Sequence, residues 1–306
     1  MIPIKILDET STLEAVILGT AESFGGTPAL EEAYDPKSRL HIKAGDYPVE
    51  RDIHNEMEAF AAVLKKYGIQ VYRPEVIENY NQVFSRDIGM VIDDRFVVPR
   101  ILKNRKEEIR GIQYIIDQID PKKLLRVDSE ARLEGGDIMP WKGRIFAGYS
   151  RQEDFEKYVV SRTNEAGIEF LQNEFKDWEL HAFELKKSDD DPYENALHLD
   201  CCFQPIGKDK AIIYKEGFKN QEDVEFLLDF FGKNNVIEIT RDEMFQMNSN
   251  VFSISSEVVV SEKSFTRLNQ KMRDFGLTVE EIPYAETSKM EGLLRCSTLP
   301  LCRKYD

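Results

Sequence analysis

Apolar residues recur at helical spacing in three stretches of the chain, and each stretch ends at a glycine that precedes a strand-like run. The longest predicted helix is Val49–Tyr67, which ends at Gly68 and is followed by a predicted strand at 69–72. Predicted helices at Lys263–Phe275 and Val224–Phe231 are followed by strands in the same way. This repeated order of helix, glycine and strand is typical of α/β proteins.

Short apolar runs predict further strands between the helices. These runs are Ala15–Leu18, Phe96–Val98, Arg144–Ala147, Ala211–Tyr214 and Val251–Val260. Two arrangements agree with this alternation, an open α/β sheet and a radial arrangement of repeats around a central site. The spacing alone slightly favours the open sheet. Because no glycine- or serine-rich linker divides the chain, we expect one domain, 1–306.

The composition is that of an ordinary globular protein, with 42% hydrophobic and 32% charged residues. A net charge of −15 argues against a nucleic-acid partner, because binding phosphates requires a concentrated basic face. No apolar run is long enough to predict a membrane span, and Met1–Glu9 lacks the features of a signal peptide. Four cysteines in 306 residues do not make a disulfide framework, so we expect free thiols and a cytoplasmic location.

Two motifs place carboxylates beside glycine or arginine. Glu134–Asp137, with the sequence Glu-Gly-Gly-Asp, has a carboxylate on each side of a glycine pair, and glycines let a ligand approach the backbone closely. Taken alone, this motif is better explained as a surface turn, and Arg86-Asp87 as a surface ion pair. Each motif therefore gains weight only in combination with others.

His198 and Asp200 are separated by one residue in a predicted strand, so their side chains are expected on the same face. An imidazole beside a carboxylate is suited to proton transfer, although a hydrogen-bonded structural histidine fits the motif equally well. Near the C-terminus lies Cys296, and a lone cysteine is more often a small buried residue than a nucleophile. The other three cysteines are expected to be buried in this way, and no Cys or His spacing matches a structural zinc site.

Taken together and in chain order, four motifs resemble those of the guanidino-group modifying enzymes, which are amidinotransferases, arginine deiminases and dimethylarginine hydrolases. The four motifs are Arg86-Asp87, Glu134–Asp137, His198–Asp200 and Arg295–Thr298. The amidinotransferase branch is the one that most of the chain resembles, through three further stretches. These are Val16–Glu22, Ala44–Glu50 and Arg162–Glu169. In contrast, the Glu-Gly-Gly-Asp and Cys-Ser-Thr-Leu-Pro-Leu stretches are more similar to the deiminases and hydrolases.

The resemblance implies a five-bladed α/β propeller with pseudo-fivefold strand–helix–strand repeats, instead of an open sheet. It also implies that Cys296 is the nucleophile, His198 the general acid and base, and Glu134 the residue that orients His198. Asp87 and Asp200 are expected to grip the guanidinium, because carboxylates bind its N–H donors by charge-assisted hydrogen bonds. A further substrate-binding candidate is Asp137.

The chain departs from the family pattern around the expected site. The usual glycine-rich run before the cysteine is reduced to Lys289–Leu294, which contains a single glycine. An arginine expected after the His-x-Asp motif is not evident, and Glu243-Met244 stands where a serine pair is usual. In the family, that arginine and those serines serve the α-carboxylate of arginine. The candidates to replace them are Arg100, Arg105 and Lys215.

The implied reaction is attack by Cys296 on the guanidino carbon, proton delivery by His198 to the departing amine, and a covalent amidino-cysteine intermediate. We expect release by an acceptor amine, which makes the protein an amidinotransferase that uses arginine or a related donor. A hydrolase of the arginine deiminase type and a non-catalytic guanidino-binding protein are the alternatives. The expected partner is a small guanidino substrate, with no cofactor, metal, nucleic acid or membrane, and a homodimer is left open.

Overall fold

The computed structural model describes residues 1–127 and 130–305, which form five separate three-stranded sheets. In every sheet the middle strand is antiparallel to one neighbour and parallel to the other. The strands are β1 Thr12–Leu18, β2 Gln70–Tyr72, β3 Met90–Ile92, β4 Arg95–Val98, β5 Leu124–Arg126, β6 Ile138–Trp141, β7 Arg144–Tyr149, β8 Glu179–Glu184, β9 Phe203–Ile206, β10 Lys210–Ile213, β11 Val236–Glu238, β12 Phe252–Ser253, β13 Val258–Glu262, β14 Thr278–Ile282 and β15 Thr298–Lys304.

Helices connect the two parallel strands of each sheet, because a parallel pair requires a crossover connection. The helices are α1 Pro36–Ala44, α2 Glu50–Lys66, α3 Gln113–Ile116, α4 Gln152–Lys157, α5 Glu165–Glu174, α6 Gln221–Phe231, α7 Arg241–Phe245, α8 Thr266–Asp274 and α9 Ala285–Ser288. The connection from β4 to β5 also contains a 3-10 helix, Lys103–Ile112. Each sheet with its crossover is therefore one strand–helix–strand unit.

Strands from near both ends of the chain share one sheet. The strand β1 pairs antiparallel with β15, from Thr12 opposite Lys304 to Leu18 opposite Thr298, and parallel with β2. The other four sheets follow in chain order, β3–β5, β6–β8, β9–β11 and β12–β14. This arrangement confirms the five-bladed α/β propeller, and the single open sheet that spacing alone slightly favoured is wrong.

The longest predicted helix is confirmed within one residue at each end. Helix α2 buries Ile53, Met57, Phe60 and Leu64 along one face, at the helical spacing that predicted it. The helix is followed by Gly68, whose φ of +72° is a conformation that glycine adopts without strain. The apolar face of α2 contributes to the main hydrophobic core.

Two predicted strands need correction. His198 is extended, but residues Leu199–Cys201 form a 3-10 helix, and the strand begins only at Phe203. The run Val251–Val260 is two antiparallel strands, β12 and β13, because the polar residues 255–257 form the turn between them. In the part of the chain that the structure describes, no helix combines the length and apolar character needed to cross a membrane.

Short turns precede the first antiparallel strand of each unit and carry the motifs of interest. The 3-10 helices Ser85–Ile88, Gly135–Asp137 and Leu199–Cys201 lie directly before β3, β6 and β9. Equivalent turns at 246–249 and 294–297 lie before β12 and β15. Each unit therefore brings polar residues to the same structural position.

Candidate active site

A cavity of about 500 Å³ is lined by residues from different units of the fold. Its polar lining includes Asp87, Arg105, Arg162, His198 and Cys296. These side chains are all buried, with exposed fractions of 1% to 5%. The structure thus brings together the predicted nucleophile, the predicted acid and base, and one predicted guanidinium ligand.

The side chain of Asn250 fixes Cys296 from two directions. Its Nδ2 donates a hydrogen bond to Cys296 Sγ at 3.1 Å, and its Oδ1 accepts one from the Cys296 backbone N–H at 3.0 Å. The same Oδ1 also accepts from the backbone N–H of Leu293 at 3.2 Å. These bonds define the position of the sulfur, and the donor at Sγ favours the thiolate over the thiol.

Asp200 lies directly behind the sulfur of Cys296, with 3.6 Å between Oδ2 and Sγ. Burial, followed by the carboxylates of Asp200 and Asp87, raises the pKa of the Cys296 thiol well above its ordinary value. In the unliganded site the group is therefore a thiol. A cation bound beside these carboxylates would offset their charge and favour the reactive thiolate.

His198 shares a short hydrogen bond with Glu134, with 2.9 Å between Nε2 and Oε2. A second carboxylate, Asp87, has Oδ1 at 3.9 Å from the same nitrogen. Although burial opposes protonation, these two carboxylates raise the pKa of His198. Nδ1 has no hydrogen-bond partner among residues 1–127 and 130–305. The raised pKa favours the protonated form of His198, which can donate a proton from Nδ1.

Glu134 is completely buried and is kept ionised by neighbouring cations. Arg162 Nη1 lies 3.3 Å from Oε2, and the backbone N–H of Leu102 donates to Oε1 at 3.0 Å. Burial opposes ionisation, but Arg162 and His198 hold the pKa of Glu134 well below its ordinary range. An ionised Glu134 fixes the orientation of His198 and stabilises its protonated form.

Asp87 is held by Arg105 and by a backbone N–H group. Arg105 Nη1 donates to Oδ2 at 2.6 Å, and the N–H of Gly136 donates to Oδ1 at 3.1 Å. A side chain at Gly136 would place its Cβ only 2.6 Å from the His198 ring. Glycine is therefore required at this position of the Glu-Gly-Gly-Asp motif, because the backbone passes directly beside the imidazole.

Arg295 connects Asp200 to a residue near the N-terminus. The guanidinium donates to Asp200 Oδ2 at 2.8 Å and to both carboxylate oxygens of Glu9 at 3.0 and 3.1 Å. Burial opposes ionisation of Glu9, but Arg295 lowers its pKa to about 2. The Asp200 oxygen that lies near the sulfur of Cys296 therefore already accepts a hydrogen bond from Arg295. This ion pair positions the Asp200 side chain without a substrate.

Two predicted substrate ligands need correction. Both oxygens of Asp137 are used inside the fold, since Oδ2 accepts from Thr163 Oγ1 at 2.6 Å and Oδ1 from Leu199 N–H at 2.9 Å. Lys215 forms an ion pair with Glu238 at 2.6 Å and is not part of the cavity lining. Asp137 therefore supports the turn after His198, and Lys215 belongs to the surface.

Asp87, Glu134 and His198 offer atoms within 4.8 Å of one another, which is a spacing that metal ligands also have. Arginine N–H groups already bind both carboxylates, from Arg105 and Arg162. Hydrogen bonds from these cations compete with a metal for the same oxygens. The carboxylates of Asp87 and Glu134 are therefore better suited to stabilising protonated His198 than to binding a metal.

Three residues of the site were not assigned roles from the sequence. Two of them, Arg162 and Glu291, line the cavity, and the third, Asn250, is bonded to Cys296. Arg162 begins one of the stretches that resemble amidinotransferases, and this resemblance was the available signal. Glu291 lies within the departure from the glycine-rich run, so the sequence marked its position without indicating its role. Arg105, in contrast, was named as a candidate and does line the cavity.

Comparisons with known proteins cover nearly the whole chain. The family model described as N,N dimethylarginine dimethylhydrolase, eukaryotic, matches residues 41–301. The protein YkgA of Bacillus subtilis (strain 168) is 26% identical over 302 residues, covering 96% of this chain and 94% of that protein.

Solved structures with the same fold come from two kinds of enzyme. SxtG, described as an amidinotransferase of the saxitoxin biosynthetic pathway from Microseira wollei, has a TM-score of 0.79 at 18% identity, covering 100% of this chain and 98% of that one. The N-terminal domain of ArgZ, described as an arginine dihydrolase from cyanobacteria, has a TM-score of 0.76 at 16% identity, covering 94% and 97%. At such low identity these two likenesses establish the fold alone.

Proposed function

Because the chain belongs to the eukaryotic N,N-dimethylarginine dimethylhydrolase family, we propose that it hydrolyses a guanidino compound through a covalent intermediate on Cys296. One observation carries the proposal: Cys296, His198 and Asp87 line a single buried cavity, and a second carboxylate, Asp200, lies 3.6 Å from the sulfur. A thiol, an acid and paired carboxylates are the groups needed to hold and attack a planar cation.

Substrate binding begins with the guanidinium, which pairs with Asp87 in the cavity. Each carboxylate oxygen has two lone pairs, so Asp87 Oδ1 keeps acceptor capacity beside its bond from Gly136 N–H. The cation lies close enough to Cys296 to counter the carboxylates that raise the pKa of its thiol. Binding therefore releases the thiol proton to solvent, since His198 is already protonated, and generates the nucleophile only when a substrate is present.

The thiolate then forms a bond from Sγ to the guanidino carbon. Nδ1 of protonated His198 donates its proton to the departing nitrogen, and the carbon–nitrogen bond breaks to release ammonia or an amine. This leaves an S-amidino-cysteine and a neutral imidazole. A water molecule gives one proton to His198 and adds to the amidino carbon as hydroxide. The carbon–sulfur bond then breaks, the remaining hydroxyl proton passes to Sγ, and the products are a neutral ureido compound and the Cys296 thiol.

The far end of the proposed substrate carries a carboxylate, because two arginines line the same cavity. Arg162 donates to Val159 O, Glu134 and Tyr34 O, which uses three of its five N–H groups. Arg105 donates two hydrogen bonds to Glu108, one to Asp87 and one to Phe84 O, which leaves one of its five N–H groups. Each arginine therefore keeps at least one donor for a carboxylate of the substrate. A guanidino amino acid such as arginine or its N-methylated forms matches a site with these charges.

Transfer of the amidino group to an amine is the second candidate, and it shares every step up to the S-amidino-cysteine. The observation that favours it is that Arg162, from a stretch resembling amidinotransferases, lines the cavity. The two candidates differ only in whether water or an amine reaches the intermediate. Transfer as predicted from the sequence stays a prediction.

The deciding experiment incubates the purified protein with arginine or with N,N-dimethylarginine, each with and without glycine as an acceptor. Citrulline formed without an acceptor, accompanied by ammonia or dimethylamine, supports hydrolysis. Ornithine formed only in the presence of an acceptor supports transfer. If none of these products forms and Cys296 acquires no amidino group by mass spectrometry, the proposed chemistry is wrong.

A further inference from the structure

Glu9 is a buried acidic residue that does not line the cavity and has no part in the reaction steps above. It lies in the short segment before β1, and the side chain of Asp8 shapes that segment. Oδ1 of Asp8 accepts hydrogen bonds from the backbone N–H groups of Thr10 at 2.8 Å and Ser11 at 2.6 Å. The carboxylate of Glu9 contacts Arg295, which is 286 positions later in the chain.

Arg295 divides its guanidinium between Glu9 and Asp200. Nε and Nη2 donate to the two oxygens of Glu9 at 3.0 and 3.1 Å, in the paired geometry that makes arginine–carboxylate contacts strong. This leaves Nη1 to donate to Asp200 Oδ2 at 2.8 Å, and the same oxygen lies 3.6 Å from the sulfur of Cys296. A continuous series of contacts therefore joins Glu9 to the nucleophile.

Arg86 is a second buried arginine of this region, and its hydrogen bonds go to neutral acceptors. These are the backbone O of Arg295 and a threonine hydroxyl, both at 3.2 Å. Burial, followed by Arg295, lowers the pKa of Arg86 to about 9, and Glu9 is the first of the acidic groups that favour its charged form. The negative charge near a third buried arginine, Arg303, comes mainly from Glu9 and Asp8. Glu9 therefore balances more than its hydrogen-bonded partner.

The positive and negative charges in this buried set are equal while Cys296 is a thiol. Arg86 and Arg295 carry two positive charges, and Glu9 and Asp200 carry two negative charges. A thiolate on Cys296 would add a negative charge that no cation of the set offsets, and an uncompensated charge is costly in a buried site. A cation that binds in the cavity would restore the balance.

Other titratable groups that face the sulfur do not supply this positive charge. Asp87 is a carboxylate, and burial raises the pKa values of Cys201 and Tyr284, so both stay neutral at neutral pH. His198 carries a positive charge in the same cavity, but it is paired with Glu134 at 2.9 Å. The charge on the sulfur therefore depends on the balance among the buried arginines and their carboxylates.

We propose that Glu9 is a positioning residue: it holds Arg295 beside Asp200, and its negative charge ensures that Cys296 becomes a thiolate only when a cation binds in the cavity. This inference rests on the proposed function, since Cys296 is there the nucleophile and a guanidino compound is the cation. Without the charge of Glu9, the arginines would have a surplus positive charge. That surplus would favour the thiolate in the empty site and oppose binding of a cationic substrate.

The experiment removes this charge with Glu9→Gln, which keeps the length of the side chain and an acceptor for Arg295. The rate of alkylation of Cys296 by iodoacetamide is measured against pH on the full chain without substrate, and mass spectrometry identifies the labelled residue. Because the thiolate is the reactive form, the midpoint of the profile reports its formation. Thermal unfolding of each variant is recorded in parallel. The control Glu257→Gln removes a charge from the exposed turn between β12 and β13.

We expect Glu9→Gln to move the midpoint of the alkylation profile to lower pH by about one unit, which makes alkylation about tenfold faster below the midpoint. KM for a guanidino substrate should rise. Glu9→Asp should unfold at a lower temperature, because the shorter side chain fits the arginine less well, but it keeps the charge and therefore the wild-type profile. Glu257→Gln should leave the profile unchanged. A residue that only stabilised the fold would change the unfolding temperature in both Glu9 variants and the profile in neither.

An unmoved profile in folded Glu9→Gln, or a shift to higher pH, overturns the proposal. If Glu9→Gln does not fold, Glu9→Asp decides: a wild-type profile with a lowered unfolding temperature supports the role of the charge, and a profile moved to lower pH overturns it. Alkylation requires no turnover, so the two proposals fail separately. A shifted Glu9→Gln profile without turnover by the wild-type protein would refute the hydrolase alone, whereas turnover with an unmoved profile would refute the role of Glu9 alone.

Discussion

Asn250 and Cys296 are joined by two hydrogen bonds, one to the sulfur at 3.1 Å and one from the backbone N–H at 3.0 Å. The two residues are 46 positions apart: Asn250 directly follows the turn before β12, and Cys296 lies in the turn before β15. The amide therefore sets the direction of the Cys296 sulfur and stabilises its thiolate form at the same time.

Replacing Asn250 by Ala removes both bonds and leaves the Cys296 backbone N–H without an acceptor. We expect kcat to fall by roughly 10- to 100-fold, while KM changes less, because the bonds act on the attacking sulfur. Steady-state kinetics with arginine would measure the split. The matched change Asn220→Ala, at an exposed residue bonded to Asp223, should leave kcat unaltered; a similar loss in both variants would contradict the role of Asn250.

Cys296→Ser should reduce turnover by at least about a thousandfold, because a hydroxyl is a far weaker nucleophile than a thiolate at neutral pH. The wild-type protein, quenched during turnover, should carry an amidino group on the peptide containing Cys296. Mass spectrometry of the digested protein detects that group. Cys302→Ser changes a buried thiol of strand β15 and should keep most of the activity. Equal losses in the two variants would point to misfolding instead of lost chemistry.

Glu134→Gln should shift the alkaline limb of the pH–kcat profile to lower pH. The carboxylates of Asp87 and Glu134 raise the pKa of His198, so the imidazolium persists at neutral pH and is lost as pH rises through that raised value. Removing the charge 2.9 Å from Nε2 lowers the pKa on the order of one unit or more. Glu179→Gln, beside the partly exposed His181, is the control. An unmoved alkaline limb in Glu134→Gln would exclude His198 as the acid.

Asp200→Asn should make Cys296 more reactive and the enzyme less active. Loss of a negative charge 3.6 Å from Sγ lowers the pKa of the thiol, so more thiolate forms at pH 8. Alkylation by iodoacetamide at that pH should accelerate several-fold, whereas KM for a guanidino substrate should rise. Asp209→Asn, at an exposed ion pair with Lys142, serves for comparison. Slower alkylation of the Asp200 variant would show that this carboxylate does not destabilise the thiolate.

Arg162→Lys keeps a positive charge but loses the forked donor geometry of the guanidinium. We expect KM for arginine to rise about tenfold and KM for agmatine, which has no carboxylate, to change little. Lys215→Ala should alter neither value, because Lys215 pairs with Glu238 outside the cavity. Equal effects of Arg162→Lys on both substrates would mean that the arginine supports Glu134 and does not contact the carboxylate.

The long helix was predictable because its signals are local. Helix α2 has an apolar face at 3.6-residue spacing and a glycine at its end, so its limits were correct within one residue. In the turn after His198 the signal is not local. The N–H of Leu199 is bound by Asp137 Oδ1, 62 residues earlier in the chain, and this contact favours a 3-10 turn over a strand. The spacing of residues in the sequence does not predict that contact.

The site residues show the same difference between local and long-range signals. Cys296 and His198 stand within motifs, and the structure brings them to one cavity, whereas Lys215 was chosen because it follows the His-x-Asp motif in sequence. The prediction for Lys215 was wrong because strands β9 and β10 separate it from the His-x-Asp motif. The lysine lies at the surface, where it pairs with Glu238. Arg162 and Glu291 were not assigned roles because only the folded chain brings them to the cavity that His198 lines.

The pairing of β1 with β15 has a consequence for the order of folding. Cys296 lies two residues before β15, and β15 pairs with a strand from the opposite region of the chain, so this sheet has the longest loop to close. The other four sheets are each built from consecutive strands and close shorter loops. We therefore expect the sulfur of Cys296 to reach its place beside Asn250 and Asp200 after those four sheets have formed.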